Sequence, residues 1–216
     1  MKGEGMKGEV ARSDDRRAFY APNHTVRYYY KGAIPSAGSV LVGDLVLVSG
    51  SRWTDRLIQF GESLHMSRDH RQYSHVNHAA TVVHVDVNAG NVVVQEMDGG
   101  GGRLRNLADY AAMKGVSFAV VSVRSATMSQ RNAAVRSARW YVDVPYGWAS
   151  IITDAVYCLL GIPFFLSIGQ SVVCSAAATA SQRCVGLIPD KPDIAVMPSD
   201  LARYYGVRLM RDRDRA

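Results

Sequence analysis

The chain holds little sulfur. Its three cysteines, Cys158, Cys174 and Cys184, are an odd number with no Cys-x-x-Cys pair and no Cys/His spacing of the kind that cages zinc. A disulfide scaffold and a metal centre are therefore not expected. Long apolar runs are scarce as well. The longest, Ile151 to Ile168, is interrupted by Asp154, Gly161 and Pro163, whereas a spanning helix wants about 20 apolar residues in succession. It reads as a buried helix over 149–160 that stops before Gly161-Ile162-Pro163, with Phe164-Phe165-Leu166 beyond it, and no transmembrane segment is expected. Residues 1–17 have no apolar stretch after their positive charges, so they do not read as a secretory signal peptide. The expected location is therefore the cytoplasm or a virion. Acidic residues are outnumbered, 19 against 25 basic ones, for a net charge of +6. Much of the excess sits at the ends, and Arg211-Asp212-Arg213-Asp214-Arg215 alternates in sign, which suits a solvated tail better than a phosphate-binding track. No nucleic-acid partner is expected.

What is present is enough for one folded domain, with 48% hydrophobic and 20% charged residues over 216 positions. The expected organisation is a flexible N-terminal arm over 1–22, a domain over 23–207 and a charged tail over 208–216. The arm, with Tyr28-Tyr29-Tyr30 just beyond it, is a candidate contact for a protein partner. Strands are expected at 25–31, 43–49, 75–86, 92–97 and 116–123, each rich in β-branched residues and bounded by turn residues. The run 75–86 and the run 92–97 flank Asn88-Ala89-Gly90-Asn91, so they form a hairpin. In that hairpin the start of the first strand lies beyond Glu96 along the second; a twist or bulge is one way for His78 and Glu96 to share a face, and the sequence does not fix the register. Residues 51–74 read as a long loop with a helical turn near 55–60. Gly99 to Gly102 read as a flexible connection, 104–113 as helical, 129–141 as a helix capped by Ser129, and 198–204 as a short terminal helix opened by Pro198. The fold class is α+β, with an antiparallel sheet of four to six strands.

The chemistry centres on Ser171-Val172-Val173-Cys174-Ser175-Ala176-Ala177-Ala178-Thr179-Ala180, a loop running into a small-residue helix with a cysteine in its first turn. The first N–H groups of a helix lack intrahelical partners and its dipole is positive there, so a thiolate is favoured over a thiol. Cys174 is thus a candidate nucleophile, the competing reading being a small buried hydrophobe. Cys158 and Cys184 read as core. Cysteine acyl transfer also needs an imidazole and often a polar group that orients it. His78 at a strand start and Glu96 at the end of an apolar strand supply those types, with His75 a competitor for the base. Gln170 is a candidate oxyanion donor. A metal reading of His65, His70, His75, His78 and His84 fails on spacing, because only His75 and His78 are close in the chain.

Taken together, Gly43-Asp44-Leu45-Val46-Leu47, Ser74-His75-Val76-Asn77-His78-Ala79-Ala80-Thr81-Val82-Val83, Val94-Gln95-Glu96, Leu107-Ala108-Asp109-Tyr110, Pro145-Tyr146-Gly147-Trp148 and Val173-Cys174-Ser175 resemble, in this order, the permuted branch of the NlpC/P60 papain-like superfamily, the YiiX/YebB-like cysteine peptidases and amidases. The resemblance covers roughly 38–205. It implies a circularly permuted papain-like fold with the nucleophile helix packed on the sheet, the histidine preceding the cysteine in the chain. It further implies Cys174 as nucleophile, His78 as general base and Glu96 as the orienting group, with no cofactor and no metal. The implied activity is thiol-dependent hydrolysis of peptide or peptidoglycan cross-links, as in a cell-wall hydrolase, one that a phage encodes included. A lipid-directed acyltransferase or esterase and an inactive structural or adaptor protein are the alternatives. Tyr146 matches a family tyrosine. The chain departs from the family in having Ala79-Ala80 where a glycine commonly follows the histidine.

Overall fold

The β-branched runs pair into a single sheet. A computed structural model describes residues 19–50, 68–146 and 173–209, and among them six strands stand in the order β1-β6-β2-β3-β4-β5, every neighbouring pair antiparallel. These are β1 (His24–Tyr29), β2 (Leu45–Ser49), β3 (His78–Asp86), β4 (Asn91–Asp98), β5 (Gly101–Asn106) and β6 (Ser117–Val123). Four α-helices accompany them among the described residues: α1 (Leu107–Ala112), α2 (Met128–Arg139), α3 (Cys174–Arg183) and α4 (Pro198–Tyr204). The protein is thus a mixed α/β structure with an antiparallel sheet.

Strand alternation sorts the core into two layers. Leu45, Leu47, Ala79, Ala119 and Val121 project to one face, where Ala134 of α2, Ala178 of α3 and Leu201 and Ala202 of α4 cover them. Val46, Val48, Ala80, Val82, Val94, Phe118 and Val120 project to the other, under Leu107 and Tyr110 of α1. The alanines of α3 let that helix lie close to the sheet. Its far end is tied as well: the Gln182 side chain donates to the Gly43 carbonyl at 3.1 Å and accepts from the Tyr205 hydroxyl at 3.1 Å.

The β3–β4 hairpin contains the irregularity that the site depends on. From the turn, Asp86 pairs with Asn91, Val85 with Val92 and His84 with Val93; the pairing then resumes as Val82 with Val94, Thr81 with Gln95 and Ala80 with Glu96, leaving Val83 as an extra residue. Without that bulge Thr81 would lie opposite Glu96. A one-residue shift sends side chains to the opposite face, so the bulge places Glu96 on the face of Ala80 and, two residues earlier, His78.

Three expectations are corrected. Gly101 and Gly102 are not a flexible connection but open β5, and the glycines are demanded by a close approach. Gly101 has φ +113°, and a Cβ on Gly102 would stand 1.6 Å from the Tyr141 carbonyl oxygen. The Gly102 N–H donates to the Val144 carbonyl and the Asp143 N–H to the Gly102 carbonyl, both at 2.8 Å, so the 141–144 turn is clamped to the sheet edge. Helical spacing over 104–113 misread the end of that strand, and α1 begins only at Leu107, where Asn106 caps it by accepting from the Ala108 N–H at 2.9 Å. The cap of α2 is likewise Thr127 rather than Ser129: its hydroxyl accepts from the Gln130 N–H at 3.3 Å while the Gln130 side chain accepts from the Thr127 N–H at 2.9 Å. The helix expected over 149–160, Phe164-Phe165-Leu166, Cys158 and the turn near 55–60 lie outside the described residues. So do residues 1–18 of the expected arm and 210–216 of the expected tail. Residues 19–22 meet the domain, with Tyr20 and Ile188 exchanging backbone hydrogen bonds at 2.8 and 2.9 Å.

The Gly43-Asp44 turn has a structural explanation. Asp44, fully buried, accepts from the Leu41 N–H at 2.9 Å and from Arg131 of α2 at 2.7 Å, and Arg131 also reaches the carbonyls of Val42 and Val123 at 3.2 and 2.5 Å. Removing one member of a buried pair leaves the other charge unmatched, which costs about 3–5 kcal/mol. Arg131→Met is therefore expected to lower unfolding free energy by about that amount in urea titration, and Arg131→Met with Asp44→Asn to recover part of it.

Candidate active site

Cys174 is the first residue of α3, and Val173 before it provides no side-chain cap, so the first-turn N–H groups remain available to an anion. The Ser175 N–H donates to the sulfur, and a second donor arrives from the sheet. On β3 the even-numbered N–H groups serve β2, as Val82 to Asp44 does at 2.9 Å. The odd-numbered ones therefore point at β4. The β3–β4 pairing ends at Ala80 with Glu96, and the Ala79 N–H, one residue past that end, goes to the Cys174 sulfur.

His78 begins β3. Its Nε2 lies 2.9 Å from Glu96 Oε2, and the ring hydrogen-bonds the Cys174 sulfur. With Nε2 engaged by the carboxylate, Nδ1 is the nitrogen left for the sulfur. The three side chains expected to act together thus meet: a thiol 6% exposed, a ring 18% exposed and a buried carboxylate.

Electrostatics fix their charge states. Burial pushes the Cys174 thiol up, but the His78 charge and hydrogen bond, with the Ala79 and Ser175 N–H groups, overcome it and hold the thiol below its ordinary value. Burial pulls the imidazole down, yet the thiolate first and Glu96 second lift it to about 10. Burial likewise raises Glu96, and His78, Tyr110 and Arg103 outweigh it to bring the carboxyl to about 2. Both shifts favour the thiolate and imidazolium forms.

Glu96 is held by more groups than the sequence indicated. Oε2 also accepts from the buried Tyr110 hydroxyl, and Oε1 accepts from Arg103 Nε at 2.9 Å and from Arg105 Nε. Both arginines also reach Asp98, Arg103 closely and Arg105 at 3.8 Å. Tyr110 meets the His78 ring at a centroid distance of 6.2 Å, and the Arg105 guanidinium lies 5.4 Å from the Tyr110 ring. Arg105 falls in the stretch that reads as helical and Arg103 just before it, so neither is expected at the site; as a strand beside β4, Arg103 is directly opposite Glu96. Tyr110 closes the Leu107-Ala108-Asp109-Tyr110 motif, to which the resemblance assigns no role.

Other expected residues fall elsewhere. His75 is half-buried in the segment before β3, His84 is exposed on β3, and His70 meets Tyr73 at 6.4 Å. Gln170 and His65 lie outside the described residues. Tyr146 packs with Tyr141 and Val144 against Met97, Cys174 and Ala177, which makes it one wall beside the sulfur. Cys184 is half-buried at the core edge. Among the described residues no cluster of three His, Cys, Asp or Glu side chains is arranged to hold a metal ion. No family model matches the chain, and no curated protein matches it.

The pair persists from the depressed thiol value up to the imidazole's value near 10. Alkylation of Cys174 by iodoacetamide, followed by peptide mass mapping, is expected to run faster at pH 6 than that of an ordinary thiol, because the His78 charge and the Ala79 and Ser175 N–H groups lower its titration. An ordinary thiol has less than about 1% thiolate there. In His78→Ala the rate at pH 6 should fall and recover as pH rises past 8.

Proposed function

We propose that this protein is a cysteine-dependent amide hydrolase on a circularly permuted papain-like fold, acting on peptide or peptidoglycan cross-links. The observation that carries the reading is the placement of Cys174 at a helix start beside a His78 ring whose Nε2 lies 2.9 Å from the Glu96 carboxylate. A thiolate held at neutral pH in contact with an acid is the reactant state of acyl transfer. A structural cysteine has no need of it, which weighs against the inactive scaffold. The stretch that motivates a lipid-directed acyltransferase lies outside the described residues, and no described feature favours that chemistry.

In this mechanism the Cys174 sulfur attacks the amide carbonyl carbon, and the oxyanion forms beside the uncapped first turn of α3. His78 Nδ1–H passes its proton to the amide nitrogen as the C–N bond breaks, releasing the amine and leaving a thioester on Cys174. The now neutral His78 takes a proton from water, hydroxide adds to the thioester carbonyl, and the carboxylic acid leaves as the thiolate returns. Glu96 stays ionised throughout: it keeps the ring oriented and stabilises its positive form, while Tyr110, Arg103 and Arg105 keep the carboxylate still. Action in the cytoplasm or from a virion, including a phage-encoded role, belongs to the same proposal.

The reading is tested by incubating full-length protein with purified sacculi and with their soluble stem peptides, and following new amine ends. Cys174→Ala and His78→Ala are expected to lose at least about a thousandfold in rate, because members of such a unit fail together. Glu96→Gln should lose about ten- to a hundredfold, mainly in kcat. Absence of any amide cleavage by a protein whose Cys174 still alkylates at pH 6 would overturn the reading.

A further inference from the structure

Helix α2 contains no acidic residue, and its three arginines have different fates. Arg131 is buried on Asp44. Arg136 and Arg139, in the last turn, are exposed, and among the described residues neither side chain has an ion-pair partner. The residue that ends the helix is Trp140, whose N–H donates to the Arg136 carbonyl at 3.1 Å and whose side chain is 81% exposed. Arg136 is three residues before Arg139 and four before Trp140, so it stands between them on one helix face. The next carboxylate in the chain, Asp143, neutralises neither arginine. This leaves an exposed indole beside two unmatched positive charges.

The patch is joined to the candidate site. Tyr141 follows Trp140 directly and packs in the cluster that contains Cys174. The 141–144 turn cannot drift, since it is clamped to Gly102. Whatever rests on Trp140 is held at a set position relative to the sulfur.

We propose that Arg136, Arg139 and Trp140 form a docking face for an acidic glycan polymer. The indole stacks on the C–H face of a pyranose ring, and the arginines pair with carboxylates along the strand. Charge complementarity selects an anionic partner. The face holds one indole among arginines and the exposed Asn132, with no contiguous apolar area to enter a bilayer. The inference rests on the amide-hydrolase reading for the polymer's identity, because a cell wall joins amide-linked peptides to a glycan strand. Contacts remote from the reacting bond then supply the binding energy that orients it.

The test separates binding from catalysis by using the full-length Cys174→Ala protein, which cannot cleave the matrix. Its sedimentation with purified sacculi is measured over rising salt, beside sedimentation with vesicles of equimolar phosphatidylglycerol and phosphatidylcholine. Adding Trp140→Ala is expected to weaken sacculus binding about tenfold or more, and Trp140→Tyr, which keeps a stacking ring, to restore most of it. Arg136→Gln with Arg139→Gln should weaken binding and flatten its salt dependence. Equal binding of the Trp140→Ala protein, or Trp140-dependent binding to vesicles in preference to sacculi, overturns the proposal. Hydrolysis by the Cys174-containing protein is scored separately: sacculus binding without amide cleavage sinks the hydrolase reading alone, and cleavage without Trp140-dependent binding sinks the docking face alone.

Discussion

A parity condition in one hairpin decides whether the candidate site exists. Side chains on a strand alternate, so a carboxylate on β4 meets a ring at the start of β3 only if the pairing between them has the correct offset. The tight turn at 87–90 sets the wrong one. The unpaired Val83 corrects it, at the cost of a local interruption in the ladder. The meeting of Glu96 with His78, and of His78 with the Cys174 sulfur, descends from that offset. The pairing ends at Ala80, and the N–H of Ala79, one residue past that end, goes to the sulfur.

The second requirement is charge balance in a dry place. A carboxylate, a thiolate and an imidazolium cannot all be buried unless each is matched, since an isolated buried charge is strongly disfavoured. Glu96 receives His78, Tyr110, Arg103 and Arg105 on its two oxygens, and the arginines share Asp98. With its oxygens so fully occupied the carboxylate has little reason to take the imidazolium's proton. In the proposed mechanism its role is therefore orientation and electrostatic support rather than proton relay. The sulfur is balanced differently, by one ring and two main-chain N–H groups.

Much of this was legible in the sequence. Strands announce themselves by β-branched content, and β2, β3, β4 and β6 differ from expectation by only a few terminal residues. The pairing of Cys174 with His78 and Glu96 followed from the chemistry that a cysteine at a helix start requires, together with the order of motifs. What escaped reading has a common physical cause: it depends on contacts between distant segments. Gly99 to Gly102 look flexible until the 141–144 turn is seen pressing on them. Arg105 looks like a helix-surface charge, and Arg103 like a residue just before that helix, until β5 is seen lying beside β4. The position of the bulge depends on which register buries both faces of the sheet, and no local signal around Val83 marks it.

The helix that begins with Cys174 is gripped at its opposite end by Gln182, between the Gly43 carbonyl and the Tyr205 hydroxyl. A ten-residue helix is a strut about 15 Å long, stiff along its axis. The sulfur's height above the sheet is thus gauged from a point remote from it, by a glutamine, a glycine turn and a tyrosine. Drift in that remote anchorage would shift the sulfur against the imidazole without touching a single atom of His78 or Glu96.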